Sequence, residues 1–191
     1  MIDLATIRSD RRTRRVSSWD RKGRNHDCWH IQPGETAVLA DLKGPGVITH
    51  LWLTQGAGYR ECLLRFTWDD ADAPSVLVPL GDFFCLGHGI VNSFQSMLFT
   101  ASTAHNNAFN QGCALNCYAA MPFRKRARIK LVNQGKEVHR QYFYVDYEEA
   151  DDLPEGLGYF HAEFRRTNPF GGWGHEVRVN TPEANVVNRK E

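Results

Sequence analysis

The stretch from Val78 to Gly89 holds residues whose types could bind a small polar ring. The stretch begins at the end of an apolar segment, which Pro79 would terminate. The residues after this proline include three glycines, a carboxylate, two adjacent phenylalanines and a histidine. A sugar can stack on exposed aromatic faces and hydrogen-bond to a carboxylate and an imidazole. Asp82, Phe83, Phe84 and His88 are therefore candidate carbohydrate-binding residues. A tight turn with both phenylalanines packed in the core fits the pattern equally well.

A second polar stretch, residues 16–27, is aperiodic and contains a glycine, which predicts a loop. Trp19 would give this loop a flat platform. Its remaining candidate ligand-binding groups are Asp20, Asn25, His26 and Asp27. Aspartates near glycines also cap turns routinely, so a purely structural role for them stays open.

Paired carboxylates are the groups that glycosidases commonly place on either side of the bond they cleave. The stronger candidates for such a pair are Asp20, Asp27 and Asp82, and the weaker ones are Asp146, Glu148 and Glu149. The weaker group lies at a predicted strand end, where solvation alone explains it. No metal and no cofactor are predicted, because His88 and His105 each stand alone without a second ligand at metal-binding spacing.

Composition limits the classes of partner. The chain has 191 residues, 42% of them hydrophobic, and a net charge of +1. This suits one domain with a real core and argues against a nucleic-acid or acidic partner. No apolar run approaches the length of a membrane span, and charge arrives too early in the N-terminal segment for a secretion signal.

Five cysteines without CxxC spacing indicate neither a disulfide framework nor a zinc knuckle. Reduced thiols favour a cytoplasmic protein. Cys113 and Cys117 would face the same side of a strand, and small core-filling side chains are their expected role.

The segments that must position the candidate loops read as short strands. Alternating or apolar runs predict strands at 29–32, 36–41, 47–54, 61–68, 75–80, 114–121, 127–133 and 138–147. Residues 90–112 are less regular, and 157–165 suit a helical turn or a strand. The fold predicted is all-β, an antiparallel jelly-roll β-sandwich, because the strands are many and the connections uneven.

The N-terminal segment, residues 1–12, is expected to form a short helix, with Leu4 and Ile7 on one edge and arginines around it. The basic run that begins at Arg8 then reads as a solvated face. The predicted organisation is an N-terminal helical arm at 1–15, a jelly-roll domain at 16–168 and an extended tail at 169–191.

Several blocks resemble glycoside hydrolase family 172, formerly domain of unknown function 2961. They keep the family's order along nearly the whole chain and are specific only in combination. The blocks are Ser17–Arg21 with Asn25 and Asp27, Gly44–Trp52, Val78–Phe84, Asn116–Tyr118, Met121–Ala127, Tyr144–Glu148, Leu157–Ala162 and Asn168-Pro169. Lys22, Arg24 and His26 depart from the family loop, which usually has more glycine and acid.

The resemblance implies a retaining hydrolase of α-D-fructofuranosides or D-arabinofuranosides that assembles as a trimer or hexamer. It also implies a second jelly roll that carries the catalytic glutamates, and no catalytic residue can be carried over to these 191 residues. The expectation is therefore a truncated or split N-terminal half, inactive alone, that works as a homo-oligomer or with a partner chain. A non-catalytic carbohydrate-binding or assembly module is the alternative.

Overall fold

The alternating apolar runs of the sequence form strands in the computed structural model, which describes residues 7–166. The first strands are β1 (Arg11–Ser17), β2 (Trp29–Ile31), β3 (Thr36–Lys43), β4 (Gly46–Gln55), β5 (Cys62–Trp68) and β6 (Val76–Pro79). A single helical turn, α1 (Leu80–Phe83), and a 3-10 turn at Gly87–Gly89 follow. The remaining strands are β7 (Ile90–Val91), β8 (Phe94–Gln95), β9 (Phe99–Ser102), β10 (Ala108–Phe109), β11 (Cys113–Cys117), β12 (Met121–Phe123), β13 (Arg126–Asn133), β14 (His139–Ala150) and β15 (Ala162–Glu163).

Two main sheets enclose the core. The larger has the order β1-β14-β4-β11-β9-β8, with β12 also paired to β4 and β2 to β14. The smaller has the order β15-β6-β5-β13-β3, and a separate β10-β7 pair completes the set. All pairs are antiparallel except the two-residue ladder between β15 and β6. The predicted antiparallel β-sandwich is confirmed, and the non-sequential strand order is that of a jelly roll.

The core lies between the two sheets and is filled by the residues that alternate inward. In β13, Ala127, Ile129 and Leu131 are buried while the residues between them are more exposed. They belong to the same cluster as Leu53 of β4 and Phe66 of β5. Period-two alternation thus gives each sheet one buried face.

The predicted N-terminal helix is wrong for the part of it that the structure describes. Residues 11–17 form β1, which pairs antiparallel with β14 from Arg11 opposite Ala150 to Ser17 opposite Tyr144. Pairing with a distant strand overrides a weak helical pattern. The first six residues and the predicted tail at 169–191 lie outside the described residues.

The predicted burial of two cysteines is confirmed, and several predicted strands are present with changed boundaries. Cys113 and Cys117 are 3% and 0% exposed and fill the core as predicted. The strand predicted at 138–147 extends to Ala150, so the acidic residues near its end lie in β14 and not in a turn. Residues 90–112 contain four short strands, and 157–165 contribute only β15.

Candidate functional site

The loop between β1 and β2 is organised by the carboxylate of Asp20. Its Oδ1 accepts a hydrogen bond from the Lys22 amide at 2.9 Å, and its Oδ2 accepts from Arg24 at 2.9 Å and His26 at 3.3 Å. These amides, the Lys22 amide foremost, hold the pKa of the Asp20 carboxyl below its ordinary value. We call residues 18–28 the Asp20 loop. Asp20 serves here as the acceptor that fixes the loop backbone.

Two further contacts close the Asp20 loop. Asp27 Oδ1 accepts a hydrogen bond from the Asp20 amide at 2.7 Å. Ser18 exchanges two hydrogen bonds with the Phe143 backbone, each 3.1 Å long, which tie the loop to β14. Trp19 remains 57% exposed, and Asn25 is exposed with a positive φ of 61°. The five candidates of this stretch, Trp19, Asp20, Asn25, His26 and Asp27, therefore lie together on one loop.

Asp82 and His88 line a second feature, a polar pocket of about 520 Å³ at the end of the smaller sheet. The other lining residues are Arg60, Gly87 and residues 164–166. Arg60 Nε lies 2.8 Å from Asp82 Oδ2, yet the two buried atoms are not aligned as a hydrogen bond. Burial raises the pKa of the Asp82 carboxyl, and the Arg60 charge offsets part of that effect. This carboxylate is anchored by an ion pair.

The structure buries Phe83 and Phe84, so neither offers an exposed face to a sugar. They are 5% and 0% exposed, and their rings pack edge-to-face with centroids 4.9 Å apart. Phe83 also packs on Phe66 at 5.4 Å. The turn of α1 directs both rings between the sheets. The stacking interpretation of these two residues is corrected to the core-packing one.

The two groups of candidates lie at the same end of the sandwich but on different sheets. Pro79, which precedes α1, pairs with Leu63 at the start of β5, and the Asp20 loop enters β2, which pairs with the start of β14. The 134–138 hairpin that joins β13 to β14 marks this end. Among residues 7–166, no hydrogen bond or ion pair joins the Asp20 loop to Asp82. They are two separate groups of residues.

Sequence reasoning missed a polar network on the outer face of the larger sheet. Asp146 Oδ2 lies 2.9 Å from His50 Nδ1, and His50 Nε2 lies 3.0 Å from Asn116 Oδ1. Asn116 Nδ2 in turn donates to Thr100 Oγ1 at 3.0 Å. Arg15 donates hydrogen bonds to both oxygens of Asp146. The network spans five strands, and only the register of the strands brings its members together.

Stacked rings run beside this network. Tyr144 stacks on Trp52 with centroids 4.6 Å apart, and the Arg15 guanidinium lies 4.3 Å over the same tyrosine ring. His50 stacks on Tyr118 at 4.8 Å. The stacking partner of each of these rings is thus another side chain in or next to the same sheet.

The weaker carboxylate candidates are ion-paired to β1. Glu148 accepts hydrogen bonds from Arg8 and Arg11, and Glu149 accepts one from Arg14 at 3.1 Å. The basic run is thus a charged edge strand matched to an acidic partner, and not the solvated helix face that was expected. Complementary charges in residues 8–15 and 146–149 were the available sequence signal.

Ligand-type residues do not gather into a metal site in the described part of the chain. Within residues 7–166, no three side chains of His, Cys, Asp or Glu come together as ligands. None of the helical segments in the same range is long and apolar enough to cross a membrane.

Comparison with known proteins supports the resemblance read from the sequence. A family model described as GH172 domain-like matches residues 22–145, well over half of the chain. The match includes Asn25, Asp27, Asp82 and His88 among the candidates. No curated protein matches the chain. With the β-sandwich already established, the matched span shows that the chain belongs to the GH172 family, glycoside hydrolase family 172, as a glycoside hydrolase-like domain.

Proposed function

We propose that the chain is part of a furanosidase that hydrolyses α-D-fructofuranosides or D-arabinofuranosides, and that it supplies walls of the sugar site. Membership of the GH172 family supports the reaction class. The observation that carries the proposal is the Asp20 loop, whose backbone is fixed by the carboxylate while Trp19 stays exposed beside it. A pre-formed aromatic face among polar groups binds a sugar ring at low entropic cost.

Asp82 and His88 form the second wall in this proposal. Asp82 orients or anchors substrate and does not attack it, which its ion pair with Arg60 supports. His88 is exposed in the same pocket and has a positive φ of 61° between two glycines. A non-glycine residue held in that region of conformational space is typical of functional loops.

The catalytic carboxylates are proposed to come from a second jelly roll, on this protein or on a partner chain. Asp20 and Asp27 accept hydrogen bonds from backbone amides, and Asp146 is paired with Arg15 and His50. Carboxylates held in this way suit positioning better than nucleophilic attack. A glycosidase needs one carboxyl group that can protonate and one that can attack or activate water.

Assembly into a homo-oligomer, a trimer or hexamer, is part of the same proposal. Large apolar side chains project into solvent, among them Met97 at 87% and Phe109 at 64% exposure. Such surface favours association. Sedimentation velocity at tens of micromolar should detect species larger than the monomer, and a single monomeric boundary would count against the assembly.

Hydrolysis tests the reaction directly. The substrates are para-nitrophenyl α-D-fructofuranoside and para-nitrophenyl α-D-arabinofuranoside, offered to the chain alone and to the chain with a GH172 second jelly roll. We expect release of nitrophenol only when both jelly rolls are present. Absence of turnover with both present would reject the furanosidase proposal.

A non-catalytic carbohydrate-binding module is the second candidate. Three backbone amides donate hydrogen bonds to the Asp20 carboxylate, which favours this second candidate. A loop whose carboxylate is held in this way can bind a sugar without supplying an acid or a nucleophile. This module would give heat of binding with D-fructose or D-arabinose in calorimetry, and no turnover with either nitrophenyl glycoside even beside a second jelly roll.

A further inference from the structure

A cavity of about 600 Å³ lies at the end of the sandwich where β13 turns into β14. Its walls are the β4–β5 loop at 56–58, the start of β5 and the 133–140 hairpin, with Asn110 on the remaining side. The volume falls in the range of about 300–1,000 Å³ that is usual for small-molecule sites. None of the candidate site residues lines this cavity.

His139 is a polar residue of the cavity wall, and it is only 6% exposed. Its Nε2 lies 2.9 Å from Gln141 Oε1. The amide of Gln141 is oriented unambiguously, since its Nε2 faces three acceptors: the carbonyl oxygens of Thr54 and Tyr142 and Gln55 Oε1. His139 Nε2 must therefore carry the proton and donate it.

This tautomer leaves His139 Nδ1 as a bare acceptor. Among residues 7–166 nothing donates a hydrogen bond to it. Burial lowers the pKa of the imidazole, so Nδ1 keeps its lone pair at neutral pH. His139 Nδ1 is not among the fully enclosed polar atoms that lack a partner, so it opens onto the cavity, where a ligand or water can donate to it.

Gly58 makes room beside this nitrogen. A methyl group added there would lie 2.7 Å from His139 Nδ1 and 3.4 Å from Cys62 Sγ. Burial raises the pKa of the Cys62 thiol to about 12, so it stays protonated and serves as an apolar wall. The inner cavity thus offers His139 Nδ1 as a free acceptor, beside the side chains of Asn110 and Asn133, whose Oδ1 atoms already accept backbone hydrogen bonds.

The rim carries charges of both signs. Exposed Glu61 and Glu137 lie there together with exposed Lys136 and Arg140. Because the positive and negative charges of the rim balance, its electrostatic potential attracts neither anions nor cations strongly. The chemistry favours a neutral ligand that can donate a hydroxyl proton at depth and hydrogen-bond to charged groups at the mouth.

We propose that this cavity binds one neutral polyhydroxylated ring, a monosaccharide unit, with a hydroxyl donating to His139 Nδ1. An apolar ligand of the same size would leave the nitrogen unpaired. The inference adds a second sugar subsite to the proposed function and rests on it for the choice of carbohydrate.

The test is a titration of the whole chain with D-fructose, followed by long-range ¹⁵N spectra of the histidine rings and by the Trp19 indole signal. We expect the His139 Nδ1 signal to move upfield as it accepts a hydrogen bond, and to saturate in the millimolar range. The Trp19 indole reports the Asp20 loop independently.

The outcomes separate the two proposals. A shift at His139 without one at Trp19 supports the cavity and counts against the Asp20 loop. A shift at Trp19 alone overturns the cavity proposal and leaves the loop standing. No shift at either signal, up to the highest concentration reached, rejects both.

Variants sharpen the result. Gly58→Ala places a methyl against His139 Nδ1 and should weaken cavity binding by at least about tenfold. Gly156→Ala is the matched control, since Gly156 does not line the cavity and a methyl there meets nothing within 4 Å, and it should retain binding. Equal affinity in both variants would contradict the assigned contact. The wild-type spectra decide the question if the positive φ of 89° at Gly58 prevents the alanine variant from folding.

Discussion

Both oxygens of Asp146 accept hydrogen bonds from the Arg15 guanidinium, with Nε–Oδ1 and Nη2–Oδ2 distances of 2.6 Å and 3.0 Å. The same carboxylate contacts His50. Its side chain is only 16% exposed, whereas that of Arg15 is 53% exposed. The pair therefore joins an edge strand to the middle of the larger sheet through a largely buried acceptor.

Removing the two partners should have unequal effects. Asp146→Ala leaves Arg15 and His50 without their acceptor, and we expect it to lower the free energy of unfolding by about 1–3 kcal/mol. Arg15→Ala removes a half-exposed donor and should lower it by about 0.5–1 kcal/mol. Urea denaturation of both variants measures the difference.

Arg165→Ala provides the control for that comparison. Arg165 is paired with Glu163, and both side chains are more than two-thirds exposed. The change should leave the unfolding midpoint within error. A larger loss for Arg165→Ala than for Asp146→Ala would contradict the role given to the Asp146 network.

Phe84 should prove to be a stability residue. It is fully buried against Phe83 and Phe99, so Phe84→Ala opens a cavity and should cost about 3–5 kcal/mol. Phe109→Ala, at a side chain that is 64% exposed, should cost less than about 0.5 kcal/mol. Thermal unfolding of the two variants checks this. A stable Phe84→Ala protein that had lost sugar binding would revive the stacking interpretation.

Asp20 should control sugar binding through the loop backbone. Asp20→Asn puts an amide nitrogen where Oδ1 or Oδ2 now accepts backbone hydrogen bonds, and we expect D-fructose affinity to fall about tenfold or more. The core should remain intact, because Asp20 belongs to a surface loop. Calorimetry gives the affinity, and the amide shifts of Lys22 and Arg24 report the loop.

The matched control is Asp72→Asn in the exposed β5–β6 hairpin. It makes the same chemical change and should alter neither affinity nor amide shifts in the Asp20 loop. Undiminished binding by Asp20→Asn would show that the loop conformation is not what recognises the sugar.

The strands of the two sheets could be predicted from the sequence because the pattern of apolar residues that marks each strand lies within that strand. In β13 the apolar residues recur at the period of a strand, and β4 is rich in apolar and β-branched residues. The structure places both strands within a residue or two of their predicted ends. The strand at residues 11–17 was missed because it forms by pairing with β14, which lies far along the chain. Asp146, for example, follows its partner Arg15 by 131 residues.

The candidate site was predicted less completely, for a related reason. Composition identifies Trp19 and Asp20 as loop residues, but it cannot say which way the adjacent rings of Phe83 and Phe84 point. That direction is set by one turn of helix packed between two sheets. The sequence also could not predict that His139 Nδ1 is an acceptor. Its tautomer depends on the orientation of the Gln141 amide, which is fixed by acceptors on the neighbouring strand β4.

Asp69 should make the fold sensitive to acid. Its Oδ1 accepts the amides of Arg124, Lys125 and Arg126 at 2.7–3.0 Å, and its Oδ2 accepts from the Tyr159 hydroxyl. Burial alone would raise the pKa of this carboxyl, but the hydroxyl and the amides outweigh it, so the pKa lies below its ordinary value.

The folded state therefore prefers Asp69 ionised more than the unfolded state does. The stabilisation is complete above the unfolded-state value of about 4 and is lost as the pH falls through the lower folded-state value. Asp69→Asn should cost about 2–3 kcal/mol at pH 7 and should flatten the decline in stability below about pH 5. Asp70→Asn, at a neighbouring carboxylate that is 74% exposed, should change neither. Urea midpoints between pH 3 and pH 7 would contradict the assignment if Asp69→Asn and the parent protein lost stability in parallel.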